Sequence, residues 1–228
     1  IGRACAERKS ELREAPALAA VSAARIGLDG TRASLRFAPG SPLAGRFPSP
    51  FDARTGLVGE VQAQNMGLAL LAAAEIDPAV TPAAATAGLA AASLPARFQI
   101  VDLSPPIVLD GAHTPNSMAA TLASFAALFP GPKALLFACA HDKKREELAA
   151  MLAPRFQRIT ITRPGTFKQS EPEAVYANFA ELAPDVRLVQ DTAEATLFAR
   201  DEAERAGLAL LVTGSFYLCA EALKTLKV

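Results

Sequence analysis

The chain has 228 residues, enough for one large domain or one and a half ordinary ones, and 51% of them are hydrophobic, a value raised by alanine. Its 23 basic and 23 acidic residues give a formal net charge of zero, so no long-range field attracts phosphate backbones or anionic lipid. We therefore expect neither a nucleic acid nor a membrane partner.

The cysteines and the amino-terminal residues indicate a cytoplasmic protein. Cys5, Cys139 and Cys219 are odd in number and too far apart for a metal-binding pair, which is typical of a reducing compartment. No stretch approaches the ~20 apolar residues of a membrane helix, and residues 1–14 lack the basic, apolar and small regions of a signal peptide.

The first part of the chain predicts little sheet. Thr31–Phe37 alternates polar and apolar residues like a half-buried strand, and the four prolines and two glycines of Ala38–Asp52 predict a long loop. Apolar residues recur at helical spacing over Val58–Ile76, and Thr81 and Pro82 begin a second, alanine-rich helix that runs to about Ser93.

From residue 98 onward, strands and amphipathic helices alternate. The predicted strands are Phe98–Leu103, Ile107–Leu109, Ala134–Cys139, Arg158–Thr162, Val186–Val189 and Leu208–Val212. The predicted helices are Asn116–Phe129, Lys143–Ala153, Glu171–Leu182, Thr192–Ala206 and Ser215–Leu226. This alternation predicts an α/β fold, a Rossmann-like and mostly parallel sheet with right-handed crossovers and helices on both faces.

Polar side chains follow three of the predicted strands. Asp110-Gly111-Ala112-His113 comes after Ile107–Leu109, with Thr114 and Pro115 as the N-cap and first residue of the next helix. Residues 140–143 and 213–215 follow two further strands. Because ligands bind at the carboxyl edge of such sheets, we expect these three clusters to meet there.

Four segments together resemble the folylpolyglutamate synthase and dihydrofolate synthase family, which are ATP-dependent amide ligases of the Mur ligase type. They are Gly59–Asn65, Leu94–Gln99, Pro105–Pro115 and Leu211–Glu221. The resemblance implies a partial central, ATP-binding domain in residues 1–95 and the Mur ligase C-terminal, glutamate-ligase domain in residues 96–228. The sequence also contains no G-x-x-x-x-G-K-[ST] pattern. We therefore expect a carboxyl-terminal fragment that is inactive alone.

The resemblance implies a role in folate biosynthesis and one-carbon metabolism. ATP would phosphorylate the carboxylate of folate or dihydropteroate, and the amine of L-glutamate would displace the phosphate from this acyl phosphate to form an amide. The intact enzyme would use ATP and Mg²⁺ and act as a monomer. No segment of this chain resembles the family's Mg²⁺ ligands, so we expect no metal ligand and no catalytic residue in it.

Three residues match the family's ATP contacts, namely Asn65, Arg97 and Asp110. Each also has a structural interpretation. Asn65 can be a surface amide on a helix, Arg97 can pair with an acid across the domain joint, and Asp110 can cap the following helix.

Two further residues match the family's glutamate site, namely His113 and Ser215. Their alternatives are a structural hydrogen-bonding histidine and a plain helix cap. The family more often has asparagine after the histidine, whereas this chain has Thr114. Asp142 and Lys143 match an Asp-Lys pair of the family, but they can also belong to a solvated helix start.

Two other functions remain open. One is a nucleotide- or amino-acid-binding module without catalysis, and the other is a Mur-type ligase that acts on a cell-wall precursor. Phe98-Gln99 and the segment Gly214–Leu218 look more like the folate enzymes.

Overall fold

The structure is a computed structural model that describes residues 1–166 and 169–227. The chain separates into two compact units, Ile1–Ser93 and Leu94–Val228. Each unit has a sheet of its own.

The described residues of the first unit form a three-stranded antiparallel sheet in the order β1-β2-β3, with helices around it. Its elements are α1 (Gly2–Glu7), α2 (Ala15–Leu18), β1 (Ala19–Gly27), β2 (Gly30–Phe37), β3 (Phe51–Thr55), α3 (Glu60–Ile76) and α4 (Pro82–Ala91). The oxygen of Thr81 accepts a hydrogen bond from Ala84 N, so the predicted N-cap of α4 is confirmed.

The core of this unit lies between the sheet and α3. Leu35 and Phe51 from the sheet and Met66 and Leu70 from α3 are all buried. Every second residue of β3 is buried, which is the pattern of a strand with one face on the core. This packing explains why the helical periodicity of α3 was readable from the sequence.

The expectation that this part has little sheet was wrong, since β1 and β3 were not predicted. β1 is rich in alanine and has mostly exposed residues, so it shows neither a high strand propensity nor an apolar alternation. β3 begins within the segment that was predicted to be a loop. Pairing with β2, and not local sequence, accounts for both strands.

The described residues of the second unit form a six-stranded sheet in the order β4-β5-β9-β6-β7-β8. The strands are β4 (Gln99–Leu103), β5 (Pro106–Asp110), β6 (Lys133–Phe137), β7 (Arg158–Ile161), β8 (Val186–Leu188) and β9 (Ala209–Thr213). The helices are α5 (Pro115–Leu128), α6 (Arg145–Leu152), α7 (Pro172–Ala180), α8 (Thr192–Ala206) and α9 (Phe216–Leu226), with a short 3-10 helix at Ala153–Arg155.

Only β4 runs antiparallel to its neighbour within these residues, so the predicted Rossmann-like, mostly parallel sheet is confirmed. Helices cover both faces. Leu136 packs in one core with residues of α8 and α9, while Phe137 points to the opposite face and meets Phe179 of α7 at a ring distance of 5.3 Å. Most predicted elements agree with the structure to within two residues.

Cys139 and Cys219 are buried free thiols. Burial raises the pKa of Cys139 to about 11, so its thiolate is scarce at neutral pH. In the described part of the chain, every helix is too short or too polar to cross a bilayer.

Candidate functional site

The candidate site lies at the carboxyl edge of the second sheet. Asp110 of β5 and Phe137 of β6 both pair in register with Thr213 of the central strand β9. The chain segments that follow these strands therefore leave the sheet side by side. Gly214 N donates to Ala112 O at 2.9 Å, which joins the segments after β9 and β5 directly.

Asp110 organises the chain around it. Its Oδ1 accepts hydrogen bonds from Ala112 N at 2.8 Å and from the Thr121 hydroxyl at 3.0 Å, and its Oδ2 accepts from Phe98 N at 2.8 Å. Burial raises the pKa of Asp110, and these hydrogen bonds offset only part of that effect. A carboxylate has about four acceptor positions, so one remains on Oδ2 for a ligand hydroxyl.

These bonds bear on the ATP contact that the family resemblance implies for Asp110. Asp110 is half-buried, and its carboxylate pairs two backbone N–H groups that would otherwise lack partners. The carboxylate therefore serves the fold, whether or not it also contacts a ligand.

We expect Asp110→Ala to lower the free energy of unfolding by about 2 to 4 kcal/mol, because it leaves these backbone donors unpaired. Asp102→Ala is the matched control, since Asp102 also accepts from two backbone N–H groups but is exposed. Urea unfolding of both variants measures the difference. A loss no larger for Asp110→Ala than for Asp102→Ala would mean that water replaces the carboxylate.

Arg97 stands in a strained and firmly anchored turn. Its neighbours Ala96 and Phe98 have φ angles of 55° and 49°, in the left-handed region that non-glycine residues avoid. Both neighbours are buried, at 4% and 3% exposure. Ala96 O accepts from Gly111 N at 2.9 Å, and Phe98 N donates to Asp110. Such strain persists only where surrounding contacts determine the backbone, and it is common at binding sites.

The side chain of Arg97 is exposed and lies over the ring of Phe216, with the guanidinium carbon 4.6 Å from the ring centre. Among the described residues, no carboxylate forms an ion pair with it. Stacking uses the face of the guanidinium and leaves its N–H donors, which lie in the plane, available to an anion.

His113 is oriented by the backbone. Its Nδ1 lies 2.8 Å from Gly111 O, and this contact assigns the ring proton to Nδ1 because a carbonyl can only accept. The Nε2 atom is then left as an acceptor. The ring also packs edge-on against Phe216, with 6.1 Å between ring centres.

Ser215 is the N-cap of α9, which is the structural alternative given for it in the sequence analysis. Its hydroxyl accepts a hydrogen bond from Tyr217 N at 3.1 Å and is itself buried. Gly214 precedes it with a φ of 100°, a conformation that glycine allows. The amino-terminal end of an α-helix carries free N–H groups and a partial positive charge, which suits a carboxylate.

Asn65 belongs to the first unit, on an exposed face of α3. Its Nδ2 donates to Gln62 Oε1 at 2.9 Å, which leaves the Asn65 carbonyl oxygen available as an acceptor. Asn65 lines a cavity of about 400 Å³ whose other walls include Ala19, Val21 and Leu68. Gln64 also lines this cavity, and a mostly apolar cavity with two amide side chains suits a flat heteroaromatic ring.

Asp142 and Lys143 pair with each other, with 3.1 Å between Lys143 Nζ and Asp142 Oδ2. The hydrogen bond from Lys143 holds the pKa of Asp142 below its usual value. Within the described residues, no group of three or more His, Cys, Asp or Glu side chains could hold a metal ion.

Sequence reasoning missed Phe216 and the purpose of Gly111. A Cβ atom on Gly111 would lie 2.3 Å from Cε1 of Phe216, so the close approach of the ring requires glycine. The sequence carries no signal of a ring that arrives from α9 beside Gly111. Thr121, two turns into α5 from the cap, was missed for the same reason.

The sequence profile of the family described as "Mur ligase, glutamate ligase domain" matches residues 96–216, more than half of the chain. The chain belongs to the Mur ligase family. The match covers Arg97, Asp110, His113 and Ser215 and ends at Phe216, so the candidate site of this Mur ligase chain lies within the matched region.

Two curated proteins are similar to this Mur ligase chain. A probable bifunctional folylpolyglutamate synthase/dihydropteroate synthase of Haloferax volcanii is 31% identical over 175 residues, or 76% of this chain and 21% of that protein. The folylpolyglutamate synthase of Lacticaseibacillus casei is 30% identical over 180 residues, or 77% of this chain and 40% of that protein. The chain thus spans less than half the length of either relative.

A solved structure has the same fold. It is the folylpolyglutamate synthase of Mycobacterium tuberculosis complexed with ADP and AMPPCP, with a TM-score of 0.82 and 24% sequence identity. The similarity covers 97% of this chain and 50% of that one, so it includes both units.

Proposed function

We propose that the chain forms part of an ATP-dependent ligase that adds L-glutamate to folate, to dihydropteroate or to both through an acyl phosphate. The observation that carries the proposal is the meeting of Arg97, Asp110, His113 and Ser215 at one edge of a sheet in a glutamate ligase domain. The two curated relatives described above are both named for folylpolyglutamate synthesis.

The nucleotide is assigned to Asn65, Arg97 and Asp110. The Arg97 guanidinium carries a fixed positive charge and offers donors to phosphate oxygens. The remaining acceptor position of Asp110 suits a ribose hydroxyl, and the Asn65 oxygen suits the amino group of adenine. We assign no Mg²⁺ ligand to this chain, because none of its segments resembles those that supply the Mg²⁺ ligands of the family.

L-Glutamate is assigned to His113 and Ser215. A carboxylate of glutamate would lie at the amino-terminal end of α9 beside Ser215, where backbone N–H groups and the helix dipole stabilise negative charge. The acceptor Nε2 of His113 would orient the amine. An amine must be neutral and directed at the carbonyl carbon to attack, so an acceptor at this point aids both requirements.

The reaction needs two steps. The γ-phosphate of ATP transfers to a carboxylate oxygen of the folate substrate, which produces ADP and an acyl phosphate. The glutamate amine then attacks the acyl carbon, loses a proton and expels inorganic phosphate. Arg97 would neutralise phosphate charge during the first step, which is the main contribution that a protein makes to phosphoryl transfer.

The test uses the full-length gene product with ATP, Mg²⁺, labelled L-glutamate and either folate or dihydropteroate. We expect label in the pterin product and sustained, multiple-turnover ADP release that requires all three substrates. Hydroxylamine should trap the acyl phosphate as a hydroxamate when glutamate is left out. Nucleotide binding without a product would favour the binding module, and ADP release only with a peptidoglycan precursor would favour the cell-wall ligase.

The glutamate assignment predicts a selective kinetic effect. Replacing His113 or Ser215 by alanine in the full-length gene product should raise the KM for glutamate about 10 to 100 fold, as expected for one lost charge-assisted bond. The KM for ATP should change by less than about threefold. Steady-state kinetics with each substrate varied in turn measure both values.

His141→Ala is the control for His113→Ala, since His141 is the other histidine of the chain and is exposed. Equal changes in the KM values of all substrates, or a change for ATP alone, would show that this part of the edge binds another ligand. The melting temperature of Ser215→Ala must be recorded too, because loss of an N-cap costs about 1 kcal/mol by itself.

A further inference from the structure

We propose that Phe216 is a positioning residue of the nucleotide site: its ring holds the Arg97 guanidinium in the orientation that receives phosphate. This inference rests on the proposed function, which assigns Arg97 to the nucleotide. It gives a role to a residue that the family resemblance includes but assigns to no ligand.

The first argument is geometric. The guanidinium carbon of Arg97 lies 4.6 Å from the ring centre of Phe216, well within the ~6 Å over which a cation is attracted to an aromatic face. The backbone of Arg97 is already fixed by its buried neighbours Ala96 and Phe98. The flexible part of Arg97 is its side chain, and the ring is the contact that restrains it.

The second argument concerns the space made for the ring. Gly111 is buried and follows Asp110 directly, and a methyl group at this position would overlap three atoms of the Phe216 ring at 2.3 to 2.6 Å. Gly111 has no left-handed φ angle, so turn geometry is not what requires glycine here. Position 111 is thus glycine because the ring occupies the volume that a side chain would need.

The third argument concerns the polar groups around the ring. Phe216 is half-buried and is the first residue of α9, directly after the cap Ser215. His113 packs against its edge at an interplanar angle of 69°. The ring therefore touches the residue assigned to phosphate and the residue assigned to the glutamate amine. The ring also packs against the hydrophobic core of the second unit, so it joins these two polar side chains to a fixed apolar surface.

A restrained arginine binds anions better than a free one. An unrestrained Arg side chain loses conformational entropy when it binds a phosphate, and stacking on a ring removes part of that loss in advance. The stack leaves the N–H edge of the guanidinium free for phosphate oxygens. Phe216 thereby contributes to nucleotide affinity without touching the nucleotide.

The experiment measures the Kd for a fluorescent ATP analogue in the full-length gene product. Phe216→Leu should raise the Kd about 3 to 10 fold, the range expected for one partly desolvated cation–π contact. Phe216→Tyr and Phe216→Trp keep an aromatic face and should stay within about twofold of the unaltered protein. In the Arg97→Ala background, Phe216→Leu should produce no further loss, because the ring acts through Arg97.

The chain offers a matched control. Arg187 lies over the ring of Phe198 at 5.3 Å in the same unit. Phe198→Leu removes the same kind of contact, so it should cost similar thermal stability and leave the Kd unchanged. This control separates a general loss of packing from a local effect on Arg97.

The outcomes distinguish this inference from the proposed function. If Arg97→Ala weakens binding but Phe216→Leu does not, or if Phe216→Leu acts equally in the Arg97→Ala background, the positioning role is wrong and the proposed function stands. If Arg97→Ala has no effect on the Kd, or the unaltered protein binds no ATP, the nucleotide assignment itself fails. Recovery of affinity by tyrosine and tryptophan but not by leucine supports the positioning role.

Discussion

Replacing Gly214 by alanine is expected to destabilise the second unit more than any other single methyl group added at the site. A Cβ atom there would lie 2.4 Å from the carbonyl oxygen of Ala138 and 2.5 Å from the ring of Phe137. The φ angle of 100° adds backbone strain for any residue with a side chain. Overpacking and backbone strain together predict a loss of about 3 to 5 kcal/mol in the free energy of unfolding.

The structure can relieve the clashes of Gly214→Ala only slightly, because the atoms that the new Cβ meets are held in place. Ala138 O is a backbone atom next to β6, and Gly214 N is committed to Ala112 O, so a shift of either segment opens the carboxyl edge. We expect the melting temperature, measured by circular dichroism, to fall by about 10 °C or more. Nucleotide and glutamate binding should weaken together, since both assigned groups of residues depend on this edge.

Gly207→Ala is the control for backbone strain alone. Gly207 has a φ angle of 64° after α8, and no described atom lies within 4 Å of the position that its Cβ would take. Its replacement should cost only the left-handed penalty of about 1 to 2 kcal/mol. Equal losses for the two variants would show that the clash at Gly214 relaxes freely and that the edge is more plastic than its contacts indicate.

Replacing Arg97 by alanine is expected to raise the Kd for ATP about 10 to 100 fold in the full-length gene product, the scale of one or two lost charge-assisted hydrogen bonds. The melting temperature should change little, because the side chain is exposed and makes no ion pair with the described residues. Equilibrium titration and thermal melting together measure both quantities.

Two comparisons sharpen this test. Arg187→Ala removes the other stacked arginine and should leave the Kd for ATP unchanged. Arg97→Lys keeps the charge but loses the planar donors and the stack. Its Kd for ATP should therefore lie between those of the unaltered protein and Arg97→Ala. If Arg97→Ala lowers the melting temperature strongly and leaves the Kd of the folded protein unchanged, Arg97 has a structural role and the nucleotide assignment is wrong.

The sequence predicted the second unit well because local signals and tertiary packing agree there. The buried strand β5 ends in Asp110, and Thr114 and Pro115 then start α5, where the structure has a capping box. In the first unit, local signals and tertiary packing disagree for the strands β1 and β3. β1 is alanine-rich and becomes a strand through its register with β2, which no local pattern reports.

Within the candidate site, the sequence indicated residue types but not the network that joins them. Asp110 was predicted to serve a ligand, but its bonds to Phe98 and Ala112 arise from chain segments whose approach depends on the sheet. Phe216 lies more than a hundred positions from Arg97 in the sequence, and only the fold stacks them. Long-range pairing of this kind leaves no periodicity to detect.

The position of β9 in the sheet determines when the site can form during synthesis. β9 lies between β5 and β6 but follows both, and every other strand of the second unit, in the sequence. In a nascent chain that ends at β8, β4 and β5 have no strand that joins them to β6, β7 and β8. The edges of β5 and β6 then both lack their partner β9. The ribosome must therefore release Ala209–Thr213 before the two halves of the sheet can join, and until then those edges are open to pairing with other chains.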